Sequence, residues 1–71
     1  MPKTELNRIR VVLAEKNVAN KWLAEKLDKN QTTISRWCSN DMQPSLDTLA
    51  QIAVKLDVDI KDLLWSTKHA K

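Results

Sequence analysis

Apolar residues recur along this chain at helical spacing, in four or five short blocks separated by polar breaks. Leu6, Ile9 and Leu13 stand at i, i+3 and i+7 with Val12 beside them, which predicts a first helix over about 4–16 with Thr4 as its N-cap. Leu23, Ala24 and Leu27 predict a short second helix beginning near Asn20. Asp28, Lys29 and Asn30 interrupt the pattern, and Asn30 has the chemistry to cap a third helix that carries Ile34, Trp37 and Cys38 inward. After the polar segment 39–43 come Pro44 and Ser45, and Ser45 is expected to cap helix 4. Leu46, Leu49, Ala50, Ala53 and Leu56 are assigned to one apolar face of that helix, widened by Ile52 and Val54, with Asp47, Gln51 and Lys55 pointing away. A fifth short helix is expected after Asp59, carrying Ile60, Leu63 and Leu64. Residues 66–71 are polar and read as a frayed tail.

Composition agrees with an all-helical reading. There is no glycine and prolines occur only at positions 2 and 44, so hairpin turns and Gly-rich phosphate loops have no support, while Ala, Leu, Lys, Glu and Gln favour helices. With 71 residues the chain is expected to form one domain over 1–71, its core over about 4–65. A domain this small buries only about 60% of its unfolded surface. Nothing staples it covalently: the single cysteine, Cys38, closes no internal disulfide, and Cys38 with the single histidine, His69, is too few for a structural zinc site. These counts predict no metal, no cofactor, a reducing cytoplasmic setting, and dimerisation as a source of added stability. No apolar run approaches the ~20 residues of a membrane span, so neither secretion nor membrane insertion is expected.

Catalysis finds no footing in these residues. A nucleophile–base pair is missing because Cys38 falls on a core-facing position and His69 in the tail. Asp57 and Asp59 sit at a helix junction, where capping is the simpler account. Phe and Tyr are absent, which argues against single-strand and RNA readers that stack bases on those rings.

Charge is uneven. Residues 1–40 carry eight basic and four acidic side chains, a balance of +4, whereas residues 41–71 carry four and five, a balance of −1. The positive potential therefore belongs to the N-terminal half. A charged surface is also what solubility requires, and charge by itself does not separate the two accounts.

Two short helices joined by a turn of about three residues describe either a plain helical hairpin or a helix-turn-helix whose second helix enters the DNA major groove. The run Leu23-Ala24-Glu25-Lys26-Leu27-Asp28-Lys29-Asn30-Gln31-Thr32-Thr33-Ile34-Ser35-Arg36-Trp37, followed by Gln43-Pro44-Ser45-Leu46-Asp47-Thr48-Leu49, resembles the Cro/C1-type (XRE-like) helix-turn-helix family. The similarity extends through Ile52-Ala53, Leu56-Asp57-Val58 and Leu63-Leu64, covering about 6–64. It implies a compact five-helix, lambda-repressor-like DNA-binding domain and a bacterial or phage transcriptional regulator acting as a homodimer. Two positions depart from the family pattern. Asp28 stands where glycine is usual, and Asp enters the left-handed region more readily than most residues. Lys29 stands where an apolar residue is usual, and its alkyl stem is the part suited to cover the turn.

Helical geometry assigns the outer face of helix 3 independently of the family. At about 100° per residue, Trp37 and Cys38 fall within roughly 60° of Ile34, while Thr32, Arg36 and Ser39 fall within roughly 40° of the opposite side. This outer set is small, polar and basic. Arg36 is suited to a bidentate bond with guanine, Gln31 to an adenine or a phosphate, Thr32 or Thr33 to a thymine methyl, with Ser35 as a further contact. The resemblance implies the same first half of the helix as base reader; the rival account is an ordinary solvated face. Phosphate contacts are expected from Asn20, at the start of helix 2, and from Lys21, Lys29, Ser39 and Asn40. Asp41 would repel DNA if it faced the phosphates and is expected to turn away or cap.

The tryptophans differ. Trp37 reads as core, Trp22 as partly exposed near the DNA-facing rim, and Trp65 as off the core face of helix 5. Leu64 and Trp65 are the expected dimer interface, and the alternative is that Trp65 folds over the open end of the core. Double-stranded DNA and a second copy are thus the expected partners, with no membrane and no small-molecule effector. The reading from a different class is a protein-interaction module that tethers a toxin or enzyme and does not bind specific DNA; Asp28, Lys29 and Asp41 are the residues that favour it.

Overall fold

A computed structural model describes residues 5–66. Four α-helices follow in order, α1 (Ile9–Glu15), α2 (Asn20–Leu27), α3 (Gln31–Cys38) and α4 (Leu46–Leu56), and a single 3-10 turn (Ile60–Leu63) closes the domain. The expected fifth helix is therefore that one turn. Thr4 and the tail from residue 67 on lie outside the described residues.

Asn30 and Ser45 cap as their chemistry predicts. The Asn30 Oδ1 accepts the Thr33 N–H at 3.0 Å, and the Ser45 Oγ accepts the Thr48 N–H at 3.1 Å. The C-terminal ends share a device that the missing glycines require. Asn17, Asp28, Asn40 and Asp57 all adopt left-handed backbone, with φ between 57° and 63°. Just beyond each, an N–H reaches back five residues to close the helix: Val18 to Leu13 O, Lys29 to Ala24 O, Asp41 to Arg36 O and Val58 to Ala53 O. Asn and Asp are the non-glycine residues most tolerant of this region.

One apolar cluster holds the helices together. Ile9, Val12 and Leu13 of α1, Leu23, Ala24 and Leu27 of α2, Ile34, Trp37 and Cys38 of α3, and Leu49, Ile52, Ala53 and Leu56 of α4 join Leu63 in it. Trp22, Val18 and Val58 pack at its edge. Two expectations for α4 fail here: Leu46 and Val54 are 75% and 76% exposed. The core-facing arc of α4 is filled by Leu49, Ile52, Ala53 and Leu56, which leaves Val54 on the outer side, whereas Leu46 shares the side of Ala53 but, as the first residue of the helix, lies beyond the edge of the core.

The N-terminal segment differs most from its predicted helix. Leu6 is half exposed, and α1 begins only at Ile9. The Asn7 Oδ1 accepts the Ile9 N–H at 3.1 Å, and residues 6–8 run beside residues 63–65. An antiparallel bridge pairs Asn7 with Leu64, the Arg8 N–H donates to Leu63 O at 2.8 Å, and the Trp65 N–H donates to Leu6 O at 3.0 Å. Chain ends that are distant in sequence are thereby joined.

Candidate nucleic-acid interface

The amphipathic patterns of α2 and α3 meet across a tight turn. Leu23, Ala24 and Leu27 face Ile34, Trp37 and Cys38, and the small Ala24, 3% exposed, lets the helices approach closely. Asp28 at φ 57° supplies the left-handed residue that turns the chain within three positions. With its inner face committed to the core, α3 leaves its outer face in solvent. Gln31, Thr32, Ser35 and Arg36 are exposed, and Thr33 and Ser39 are half-buried.

Hydrogen bonds divide these residues into engaged and unengaged sets. The Thr33 hydroxyl donates to Asn30 Oδ1 at 3.1 Å, so its methyl is the part left for an apolar contact. Asn20 is the first helical residue of α2 rather than its cap, which is Ala19. Its Nδ2 donates to Ser35 Oγ at 3.3 Å, and its Oδ1 lies 3.8 Å from Cys38 Sγ, tying the start of α2 to α3. The Ser39 hydroxyl donates to Asp41 Oδ2 at 2.9 Å, which ties the Asp41 carboxylate to the end of α3. Arg36, Lys21 and Lys29 are exposed, and among the described residues no hydrogen bond or ion pair engages their side chains. Lys26 is drawn instead over the Trp22 ring, its Nζ 5.7 Å from the centroid.

Asn40 has a different place from the one expected. It is buried, and its Oδ1 accepts from the Leu6 N–H (2.9 Å), the Asn7 N–H (3.0 Å) and Gln43 Nε2 (2.9 Å). Its Nδ2 donates to Asn7 O at 3.2 Å. Asn7, also buried, donates from Nδ2 to Trp37 O at 2.9 Å and to Gln43 Oε1 at 2.7 Å. Buried and bonded through both its oxygen and its nitrogen to the N-terminal segment, the Asn40 side chain is turned away from any phosphate. It locks the C-terminal end of α3 to the N-terminal segment instead. Nothing in helix periodicity signals this; the available clue is an Asn where a glycine-free chain must turn left-handed.

At the far seam, Leu64 is 37% and Trp65 44% exposed. The Trp65 ring stacks on the Arg8 guanidinium at 5.2 Å, and Arg8 Nη1 donates to Asp62 O at 2.9 Å. The ring is thus held on one side by Arg8 and open to solvent on the other. The adjoining cavity, lined by residues that include Asn7, Arg10, Cys38 and Trp65, has a volume of about 50 Å³, far below the ~300 Å³ at which drug-sized ligand sites begin. Burial pushes the Cys38 thiol above its ordinary pKa, partly opposed by Arg10, so the thiol form dominates at neutral pH. The described residues contain no group of three or more His, Cys, Asp or Glu placed to hold a metal, and no helix long and apolar enough to cross a membrane.

The sequence model of the Cro/C1-type helix-turn-helix DNA-binding domain matches residues 8–66. The chain belongs to this family. Its match spans all four helices and the closing turn, so the resemblance read from α2 and α3 extends to the whole domain. A crystal structure of a provisionally assigned DNA-binding protein from Bacteroides fragilis is similar at 58% identity and a TM-score of 0.83, covering 84% of this chain and 97% of that one. No curated protein matches the chain. Within the family architecture, α2 and α3 form the helix-turn-helix of a DNA-binding domain.

Proposed function

We propose that this protein is a sequence-specific transcriptional regulator of bacterial or phage type, binding a palindromic operator in double-stranded DNA as a homodimer with α3 in the major groove. The observation that carries the reading is the division of α3. Its inner face is locked into the core, and its outer face presents Gln31, Thr32 and Arg36 without internal partners. A reader of base edges needs this combination of free donors on a rigid support.

Arg36 is assigned bidentate readout of a guanine, Gln31 an adenine or an adjoining phosphate, and the methyls of Thr32 and Thr33 contact with thymine. Ser35, already holding Asn20, is assigned to the edge of that surface. Lys21, Lys29 and the first backbone N–H groups of α2 at Asn20 are assigned to phosphates, with Ser39 joining them only when its hydroxyl leaves Asp41, while Asn40 is withdrawn from that set. Leu64 and Trp65 are retained as part of the contact between subunits. Asp28 and Asp41, which favoured a protein tether, have local structural work as a turn residue and as the acceptor of Ser39.

Enrichment of randomised duplex DNA by the purified protein at about 150 mM salt tests this, because non-specific electrostatic binding is weak there. The expected product is a palindrome with half-sites about 34 Å apart. Recovery of no motif would overturn the regulator reading and turn attention to a protein partner.

A further inference from the structure

One hydroxyl on the outer side of α3 is held from behind. Ser35 is exposed, and at about 100° per residue it stands between Gln31 and Thr32, one turn on from both. Its Oγ accepts a hydrogen bond from Asn20 Nδ2 at 3.3 Å, and among the described residues its own proton meets no acceptor. Asn20 is held in turn from the core, its Oδ1 lying 3.8 Å from Cys38 Sγ. The other hydroxyls of this helix and its end differ. Thr33 and Ser39 give their protons to Asn30 and Asp41, and Thr32 has no partner among the described residues to orient it. Ser35 is oriented without being consumed.

The three groups form a chain with a direction. A carboxamide donates only through nitrogen and accepts only through oxygen, whereas a hydroxyl has one proton and two lone pairs. Burial keeps the Cys38 thiol protonated at neutral pH, so it offers Asn20 a donor, which the amide meets with its oxygen. The nitrogen is left facing Ser35 and occupies a lone pair there, which turns the hydroxyl proton away from α2. In a contact that excludes water that proton needs an acceptor, and leaving it unpaired is costly. In the major groove guanine O6 and thymine O4 are acceptors, whereas adenine and cytosine carry an amino donor at the equivalent positions.

We infer that Asn20 is a positioning residue that presents Ser35 to DNA as a hydrogen-bond donor, so that Ser35 selects a keto base, guanine or thymine, over an amino base at one position of the operator. This rests on the regulator reading above and adds to it a specificity residue whose polarity is set from α2.

Selection from randomised duplex DNA with the full chain and its variants tests it, comparing base preferences at each position rather than overall affinity. The parent is expected to favour a keto base about fivefold at one position, and Ser35→Ala to abolish that preference while leaving the others. Asn20→Asp replaces the amide donor with an acceptor. Its carboxylate takes the Ser35 proton and leaves the lone pairs outward, so the preference at the same position is expected to reverse toward an amino base. Where the added charge beside the phosphates prevents selection, Asn20→Ala serves instead and is expected to reduce the preference to about twofold. On the Ser35→Ala background neither Asn20 change is expected to alter that position, a coupling that a merely structural role for Asn20 does not produce. A Ser35→Ala variant that keeps every base preference, or weakens all duplexes alike as a lost phosphate contact would, overturns the assignment and leaves the regulator reading intact. Asn20 variants that retain the parent preference overturn the role of Asn20. A parent that selects no motif removes the regulator reading, and this inference with it.

Discussion

The helix-turn-helix and the seam between the chain ends handle polar groups in opposite ways. In α3 the polar side chains point outward and the apolar ones inward, so one helix keeps its solvent-facing polar groups and its packing on separate faces. At the seam the polar side chains are the packing. Asn7 and Asn40 are 2% and 8% exposed and satisfy one another, Gln43 and three backbone groups of the N-terminal segment. On the proposed function a change on the outer face of α3 alters what the protein binds at little cost to folding, whereas a change at the seam unpairs buried donors and acceptors and is felt by the whole domain.

Asn40→Ala gives the largest expected effect on this contrast. It leaves the Leu6 and Asn7 N–H groups without their acceptor and forces alanine into a left-handed backbone, for a destabilisation of about 3 kcal/mol. For a domain of this size that lowers Tm by roughly 12–24 °C in a thermal melt. Asn40→Gly removes the same side chain but not the backbone freedom, and is expected to recover about 1 kcal/mol of the loss. Equal Tm values for the two variants would show that the left-handed geometry costs nothing there.

Arg36→Ala tests the other half. Stability is expected to stay within about 0.5 kcal/mol of the parent, while affinity for the selected operator falls by about 1–3 kcal/mol and discrimination relaxes at one base pair. An equal loss on operator and random duplex, measured by fluorescence anisotropy, would remove Arg36 as a base reader. Lys21→Ala, by contrast, is expected to weaken all duplexes alike and to reduce the slope of log K against log salt by about 1.

Smaller effects sharpen the boundary between the regions. Asp28→Gly relieves a left-handed aspartate and is expected to add about 0.5 kcal/mol in urea unfolding, while removing a negative charge beside the proposed DNA surface. Cys38 provides a probe that belongs to the core although it lies on α3. Because burial raises its pKa, its thiol adds stability that is full below the ordinary thiol pKa and is lost as pH rises through the shifted value. Labelling by a disulfide reagent at pH 8 is expected to follow unfolding, and rapid labelling of the native protein would place the thiol at the surface.

Much of the candidate site is legible in the sequence for a local reason. The spacing of Leu23, Ala24, Leu27, Ile34 and Trp37, with Asn30 in front of α3, fixes two helices, their inner faces and hence the outer one, because the 3.6-residue period acts within a few turns. The seam is not legible in the same way. Asn7 and Asn40 meet across 33 positions, and Arg8 reaches Trp65 across 57, so no short window contains both partners. Leu6 fits the stripe of α1 and yet lies in extended chain, because pairing with residues 63–65 and the Asn7–Asn40 bonds outweigh a first helical turn.

By itself, the sequence determined the helical class, the helix-turn-helix, the caps at Asn30 and Ser45, and the polar, basic outer face of α3, all consequences of residue periodicity and local hydrogen-bonding chemistry. The absence of glycine further required Asn or Asp wherever the backbone turns left-handed. Only the tertiary structure decided where α1 begins, that Asn40 serves the fold, and that Leu46 and Val54 lie outside the core. Those outcomes depend on which surfaces distant elements cover, and an amphipathic pattern states that a face is apolar without stating what meets it.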